Sequence, residues 1–252
     1  MNTPYRLIGS GDHKVLVLHD WFGTSAGWGS FLDYLDGDTF SYAFLDYRGY
    51  GDRKAVTGAY TLAEIADDTL ALADALGWER FSLVGHSMGG KAAQQVLAQA
   101  PQRMRKLVGL APVPAGPYPL DADGEALFYG AAQDRDKRLA IIDLVTGQRA
   151  SRTWVDLMVD RSLQLSTREA FGGYVQDWVT ADLTKRIAGN PLPVKVFVGE
   201  HDLALTADVM RATWLQHYPN AELEEIANSG HYPMHETPVA LVTAIESFLS
   251  AP

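Results

Sequence analysis

Apolar positions in this chain cluster in short runs. Runs rich in β-branched or aromatic residues recur at 14–18, 40–45, 81–84, 106–110, 194–198 and 223–226. Each is too short for a stable helix, and apolar character without alternation is what a strand buried on both faces requires. Between several of them lie segments with helical periodicity, at 25–35, 62–76, 88–100, 207–218 and 238–249. Strands alternating with amphipathic helices predict an α/β fold, a mostly parallel central sheet with helices on both faces. End signals agree. Thr61 followed by Glu64 has the spacing of a capping box, Thr237-Pro238 sets a cap residue before a first-turn proline, and Gly77 stops the helix before it.

The alternation stops between Pro112 and Pro193. That stretch opens with Ala111-Pro112-Val113-Pro114-Ala115-Gly116-Pro117 and closes with Asn190-Pro191-Leu192-Pro193, neither of which sustains a helix. Short helices are expected inside it at 126–129, 139–145, 154–159 and 171–179. Their apolar faces, with Phe128, Ile142, Trp154, Phe171 and Trp178, need another surface to cover them. The reading is therefore a core formed by 1–112 and 191–252, with 113–190 inserted as a helical cap over the sheet.

Composition narrows the function classes. With 252 residues, 47% hydrophobic and 21% charged, the chain is an ordinary globular one. The absence of cysteine removes disulfides, thiolate-bound zinc and cysteine nucleophiles. A formal charge of -10 repels polyanions, so no nucleic acid partner is expected, and the basic clusters at Arg103-Arg105-Lys106 and Arg135-Lys137-Arg138 read as solvated faces. The first residues carry no basic-then-apolar leader and no apolar run reaches the roughly 18 residues of a membrane span, which predicts a cytoplasmic protein with no membrane partner.

Candidate chemistry centres on Gly85-His86-Ser87-Met88-Gly89, between an expected strand and an expected helix. This is G-x-S-x-G, in which a tight strand-to-helix turn holds serine in strained backbone with its oxygen exposed; small flanking residues are required because a Cβ there would strike the neighbouring strand and helix. A serine hydroxyl is a weak nucleophile near neutral pH and needs a base, itself oriented by an acid. Among seven histidines, His231 stands in Ser229-Gly230-His231-Tyr232-Pro233 after the last strand, where the sheet's carboxyl edge would present it. His235 lies four residues on, but Pro233 between them breaks the helical spacing a zinc pair needs, so no metal site is expected. His86 should point away from the serine oxygen, His13 and His217 fall in expected surface turns or helix ends, and His19 reads as a structural loop residue. For the acid, Asp202 follows the strand at 194–198; Glu200 sits within the turn and Asp208 opens the next helix as a dipole-favoured surface charge.

The resulting order, Ser87, Asp202, His231, is that of α/β-hydrolases. The chain resembles that superfamily over essentially its whole length, on Leu18-His19-Asp20-Trp21-Phe22-Gly23, Asp46-Tyr47-Arg48-Gly49-Tyr50-Gly51, Gly85-His86-Ser87-Met88-Gly89-Gly90-Lys91, Gly199-Glu200-His201-Asp202 and Ser229-Gly230-His231. The serine motif looks like that of small cofactor-free esterases, whereas a dehalogenase or epoxide hydrolase would carry aspartate in place of Ser87. The resemblance implies a serine hydrolase without metal or organic cofactor and assigns the backbone N–H groups of Trp21 and Met88 as oxyanion donors. One position departs from it: Asp20 stands where the family usually has glycine. Aspartate tolerates left-handed backbone, and its carboxylate is expected to point away from a developing oxyanion.

The expected reaction is attack of Ser87 on an acyl carbon with His231 as base and Asp202 orienting it, followed by hydrolysis of the acyl-enzyme. Phe22 and Trp154 are candidate walls of an apolar substrate pocket for a small molecule. Carboxylic esters lead as substrates. Thioesters, amides, lactones, carbonyl-activated C–C bonds and perhydrolysis could use the same residues, and a slow or non-catalytic ligand receptor on this scaffold is the alternative from another class.

Overall fold

In a computed structural model describing residues 4–252, seven strands form one sheet in the order β1-β3-β2-β4-β5-β6-β7. They are β1 (Tyr5–Ile8), β2 (His13–Leu18), β3 (Phe40–Leu45), β4 (Phe81–His86), β5 (Met104–Leu110), β6 (Val194–Gly199) and β7 (Ala221–Ile226). All neighbours run parallel except β1, which pairs antiparallel with β3 at the edge. β3 and β4 are buried at every position, which is why the sequence shows runs there and not alternation. The chain winds outward from β2 to β3 and then returns to β4 on the other side of β2. A crevice at the carboxyl ends follows from that reversal, the usual position of an α/β ligand site.

Helix α1 (Leu62–Ala75) starts as expected, with Thr61 accepting from the Glu64 N–H at 3.2 Å. The Glu64 carboxylate reaches past the cap to the N–H groups of Ala59 and Tyr60, both at 3.1 Å. Gly77, at φ +68°, ends the helix in left-handed backbone. Helix α2 (Met88–Gln99) follows β4 directly. Four longer helices fill the interval between β5 and β6: α3 (Ala122–Gly130), α4 (Arg135–Val145), α5 (Arg152–Leu165) and α6 (Arg168–Thr180), followed by the short α7 (Thr184–Ile187). Each of the four begins on a residue whose side chain accepts from the first turn, namely Asp121, Asp134, Ser151 and Thr167. They share the sheet's hydrophobic core instead of closing one of their own, with Trp21 stacked on Phe171 at 4.1 Å.

Several expectations are corrected. The apolar spacing of Trp28, Phe31 and Leu35 suggested an α-helix at 25–35, but Gly29 at φ +56° interrupts it and only a 3-10 helix, Gly29–Tyr34, forms. The segment at 207–218 divides into α8 (Ala207–Ala212) and α9 (Trp214–His217), because Thr213 leaves helical backbone at φ -126°, ψ -82°. Between β7 and the last helix, α11 (Pro238–Ser250), lies the short α10 (Pro233–Glu236); the Thr237 hydroxyl turns back to the Pro233 carbonyl and does not cap α11. His13 is no surface residue: it is buried in β2 with Nε2 2.8 Å from the Ser82 hydroxyl. Nor is Arg138 a solvated charge, since its guanidinium lies 3.5 Å from the centre of the Phe171 ring and donates to the Ala131 carbonyl. Lys106 likewise folds inward, donating to the Phe248 carbonyl at 2.8 Å. Among the described residues no helix is long and apolar enough to cross a membrane.

Candidate active site

Ser87 sits between β4 and α2 at φ 54°, ψ -117°, a conformation that non-glycine residues reach only under constraint. The constraint is visible in its bonds. Its N–H donates to the Leu110 carbonyl at 2.9 Å, and its carbonyl accepts from Gly90 at 2.9 Å and Val113 at 3.0 Å. Gly89 is obligatory: a Cβ there would run into the carbonyls of Leu18 and His19 on the neighbouring strand. Ser87 is half-buried at the floor of a cleft with about 490 Å³ of empty space, part of it open to solvent.

His231 lines the same cleft and is buried. Its Nδ1 donates to Asp202 Oδ2 at 2.6 Å, and its backbone N–H donates to the Val145 carbonyl at the end of α4. The loops after β6 and β7 approach this closely because Gly199 has no side chain; a Cβ would meet the carbonyls of Ser229 and Gly230. Asp202 Oδ1 accepts from the N–H groups of Ala204 at 2.9 Å and Leu205 at 3.0 Å, so each carboxylate oxygen is engaged. Burial pushes the Asp202 carboxyl up, yet the charge and hydrogen bond of His231 and the two amides outweigh it and hold the group below the usual carboxylate range. For His231, burial works against the proton, but the Asp202 charge and hydrogen bond prevail and raise it above an ordinary imidazole. The competing acids lie elsewhere: Glu200 faces His201 at 2.7 Å, and Asp208 pairs with Arg211 at 2.8 Å.

The Asp20 carboxylate is tied into its own loop and to Tyr232. Asp20 lines the cleft, and it is not at positive φ. Its Oδ2 accepts from the Tyr232 hydroxyl at 3.0 Å and from the Phe22 N–H at 3.2 Å, while Oδ1 lies 3.7 Å from His86 Nδ1. Burial would raise this carboxyl, but bonding to His86 and the charges of His86, His19 and His231 keep it well below its ordinary value. The loop keeps its shape through these side-chain bonds. His86 points away from the cleft floor, donating to the His231 carbonyl at 2.8 Å. His19 spends Nδ1 on the Asp20 carbonyl at 2.7 Å and stacks on Tyr47 at 3.8 Å, a structural role. His235 turns its Nε2 to the Gly27 carbonyl at 3.0 Å.

Trp21, Phe22 and Met88 all line the cleft beside Ser87. Trp154 does not: it packs edge-on against Tyr232 at 5.5 Å and His235 at 5.7 Å, outside the cleft wall. The other walls are Phe128 and Trp178, two of the apolar insertion residues named from the sequence, with Tyr118, Ile141 and Tyr232, which sequence reasoning missed. Only Tyr232 carried a signal, its place next to His231. Lys91 was also missed; buried, it donates to the carbonyls of Gly116 at 2.7 Å and Trp178 at 2.8 Å, tying α2 to the segment after β5 and to α6.

Known proteins share this arrangement of elements. The chain is 27% identical over 260 residues to a pimeloyl-[acyl-carrier protein] methyl ester esterase of Serratia marcescens, covering 98% of both chains. It is 28% identical over 248 residues to the dihydrolipoyllysine-residue acetyltransferase component of an acetoin cleaving system of Cupriavidus necator, with 94% of this chain spanning only 63% of that one. An esterase from Exiguobacterium antarcticum has the same fold at TM-score 0.87 and 18% identity, over 98% of this chain and 95% of its own. Residues 14–238 match the family model of the alpha/beta hydrolase fold, and the chain belongs to that family of hydrolases.

Proposed function

We propose that the protein is a serine hydrolase that cleaves carboxylic esters of small, largely apolar molecules through an acyl-enzyme on Ser87. One observation carries the reading: a buried imidazole held by a buried carboxylate at 2.6 Å shares a cleft with a serine in strained strand-to-helix backbone. With Asp202 accepting at Nδ1, that nitrogen holds the proton and Nε2 is the free base. Ser87 Oγ attacks the acyl carbon as Nε2 takes its proton; the imidazolium then protonates the leaving alcohol, and a water activated by the same nitrogen releases the acid. The N–H groups of Trp21 and Met88 stabilise the tetrahedral oxyanion, and the Phe22 N–H is excluded from that role because Asp20 already takes it. The similarity to a methyl ester esterase supports an ester as substrate.

The test is release of p-nitrophenol from p-nitrophenyl acetate and butyrate by the protein and by Ser87→Ala. Loss of about 10⁴-fold or more in kcat for the variant, with its melting temperature retained, is expected. Equal release by both proteins, or none by either, overturns the reading.

A further inference from the structure

Two peptide groups meet at Trp21, and three of their four polar groups are engaged. The Asp20 carbonyl accepts from His19 Nδ1 at 2.7 Å, the Trp21 carbonyl accepts from the Tyr50 hydroxyl at 2.9 Å, and the Phe22 N–H donates to Asp20 Oδ2 at 3.2 Å. The fourth is the Trp21 N–H, which has no acceptor among the described residues. A donor meant for a developing oxyanion has to be left free in this way while the peptides on either side of it are held still.

The Asp20 oxygen that takes the Phe22 N–H also takes the Tyr232 hydroxyl, at 3.0 Å. Tyr232 follows His231 directly, so one carboxylate oxygen joins the loop after β2 to the loop after β7, across 212 positions of the chain. Asp20 and Tyr232 are both buried, and a hydrogen bond from a hydroxyl to a buried carboxylate is among the stronger ones. The tyrosine ring is kept beside the histidine it follows, packing edge-on against His231 at 5.2 Å and His86 at 5.3 Å. The loop is also shaped to admit the acidic side chain, because a Cβ on Gly23 would strike Asp20 Oδ1. Glycine in place of Asp20 would offer no acceptor to either donor and would leave a buried hydroxyl and a buried N–H unpaired.

We propose that Asp20 and Tyr232 act together as positioning residues: the Tyr232 hydroxyl, through Asp20 Oδ2, fixes the Trp21 N–H relative to His231, so that oxyanion donor and base meet the same tetrahedral intermediate. This rests on Ser87 acting as the nucleophile and on the Trp21 N–H serving its oxyanion. The clamp works on the transition state: binding of the ester in an apolar cleft does not draw on the Trp21 N–H, whereas the oxyanion does. Neither side chain has to touch the substrate for this role.

The experiment is a cycle of Tyr232→Phe, Asp20→Ala and the double variant, with Asp20→Asn beside it, assayed on p-nitrophenyl butyrate on the alkaline plateau of the pH profile. Tyr232→Phe keeps the ring and its packing and removes only the hydroxyl. Its kcat and kcat/KM should fall together by about tenfold, with KM within twofold. A merely structural bond would instead lower the melting temperature and leave kcat unchanged well below it. Because the two side chains act as one unit, the double variant should be no slower than Asp20→Ala alone. Asp20→Asn keeps one oxygen for both donors, so most of the kcat lost in Asp20→Ala should return. A kcat for Tyr232→Phe within twofold of wild type, losses that multiply in the double variant, or an Asp20→Asn as slow as Asp20→Ala each overturn the proposal. In those cases Ser87-dependent turnover by the wild type leaves the hydrolase reading standing, and its absence removes both. If Asp20→Ala does not fold, Gly23→Ala takes its place in the cycle, since its Cβ displaces the same carboxylate.

Discussion

The carboxyl rim of the sheet and the helical insertion above it build one cleft by different means. At the rim, positions are set by main chain. Ser87 is fixed by three backbone hydrogen bonds, Asp202 is anchored by two amides, and Gly89 and Gly199 allow contacts that leave no room for a Cβ. In the insertion, positions are set by side chains: Phe171 between Trp21 and Arg138, Trp178 among three rings, Lys91 under both stems. A backbone-built rim holds reacting atoms to fractions of an ångström, as acyl chemistry demands. A wall built of side chains can be exchanged one residue at a time, which changes what is bound without moving what reacts.

The sharpest way to break this contrast is at the rim. Asp202→Asn keeps an oxygen for the Ala204 and Leu205 amides, so the loop should persist, but it offers an N–H to His231 Nδ1 and forces the wrong tautomer. A loss of about 10⁴ in kcat on p-nitrophenyl butyrate is expected, with unchanged circular dichroism. Activity within tenfold of wild type would remove Asp202 from the site. The pH profile carries the same information. Because His231 is raised above the usual 6.5, kcat/KM should fall as pH drops through a value higher than that, where the base becomes protonated. A limb at or below 6.5 would contradict the Asp202–His231 coupling.

A pair of glycines sharpens the comparison at the level of stability. Gly89→Ala drives a Cβ into two carbonyls of the adjoining strand and should cost about 3 kcal/mol along with most of the activity. Gly172→Ala, in the middle of α6, meets only the Ala132 methyl at 3.4 Å, ordinary contact, and should gain about 0.5–1 kcal/mol from helix propensity. Urea unfolding of the two variants is the measurement. Similar losses in both would mean that the insertion is as rigidly specified as the rim.

The same difference explains what could be read from the chain. Strands β2 to β6 were legible because buried parallel strands write apolar runs; the edge strand β7, with Glu222, Glu224 and Glu225, left only Leu223 and Ile226 as a signal, and β1, four residues at an exposed antiparallel edge, left none. The turns that carry Ser87, Asp202 and His231 were legible because each follows a strand and contains glycine. The cleft walls were not. Ile141 and Ile142 are adjacent and both buried, yet only Ile141 lines the cleft, and hydrophobicity cannot distinguish them. Trp154 failed as a candidate for that reason: an aromatic on an insertion helix covers core or ligand with equal ease. Asp20 stood out as a departure, but its direction depended on a hydroxyl 212 positions away.

The opposite end of the sheet supplies the control. His13 enters β2 at its amino end, buried against Ser82, and its imidazole is pushed down to about 4, first by burial and then by the charges of Arg105 and Lys106. The unfolded chain takes up that proton near 6.5 while the folded one does not, so the stability His13 contributes is complete above 6.5 and is lost as pH falls toward 4. Between pH 7 and pH 5 the linkage amounts to about 2 kcal/mol. His13→Gln, which keeps a donor for the Ser82 hydroxyl, should abolish this share of the acid sensitivity while leaving ester turnover at pH 8 within twofold. His231, raised in the folded state, works in the opposite direction over the same interval, but it does so equally in both proteins, so their difference isolates His13. Unfolding midpoints in urea at the two pH values decide the matter: parallel losses in wild type and variant would place the acid sensitivity elsewhere. A loss of turnover in the variant would show that the amino edge is coupled to the rim and is not only its support.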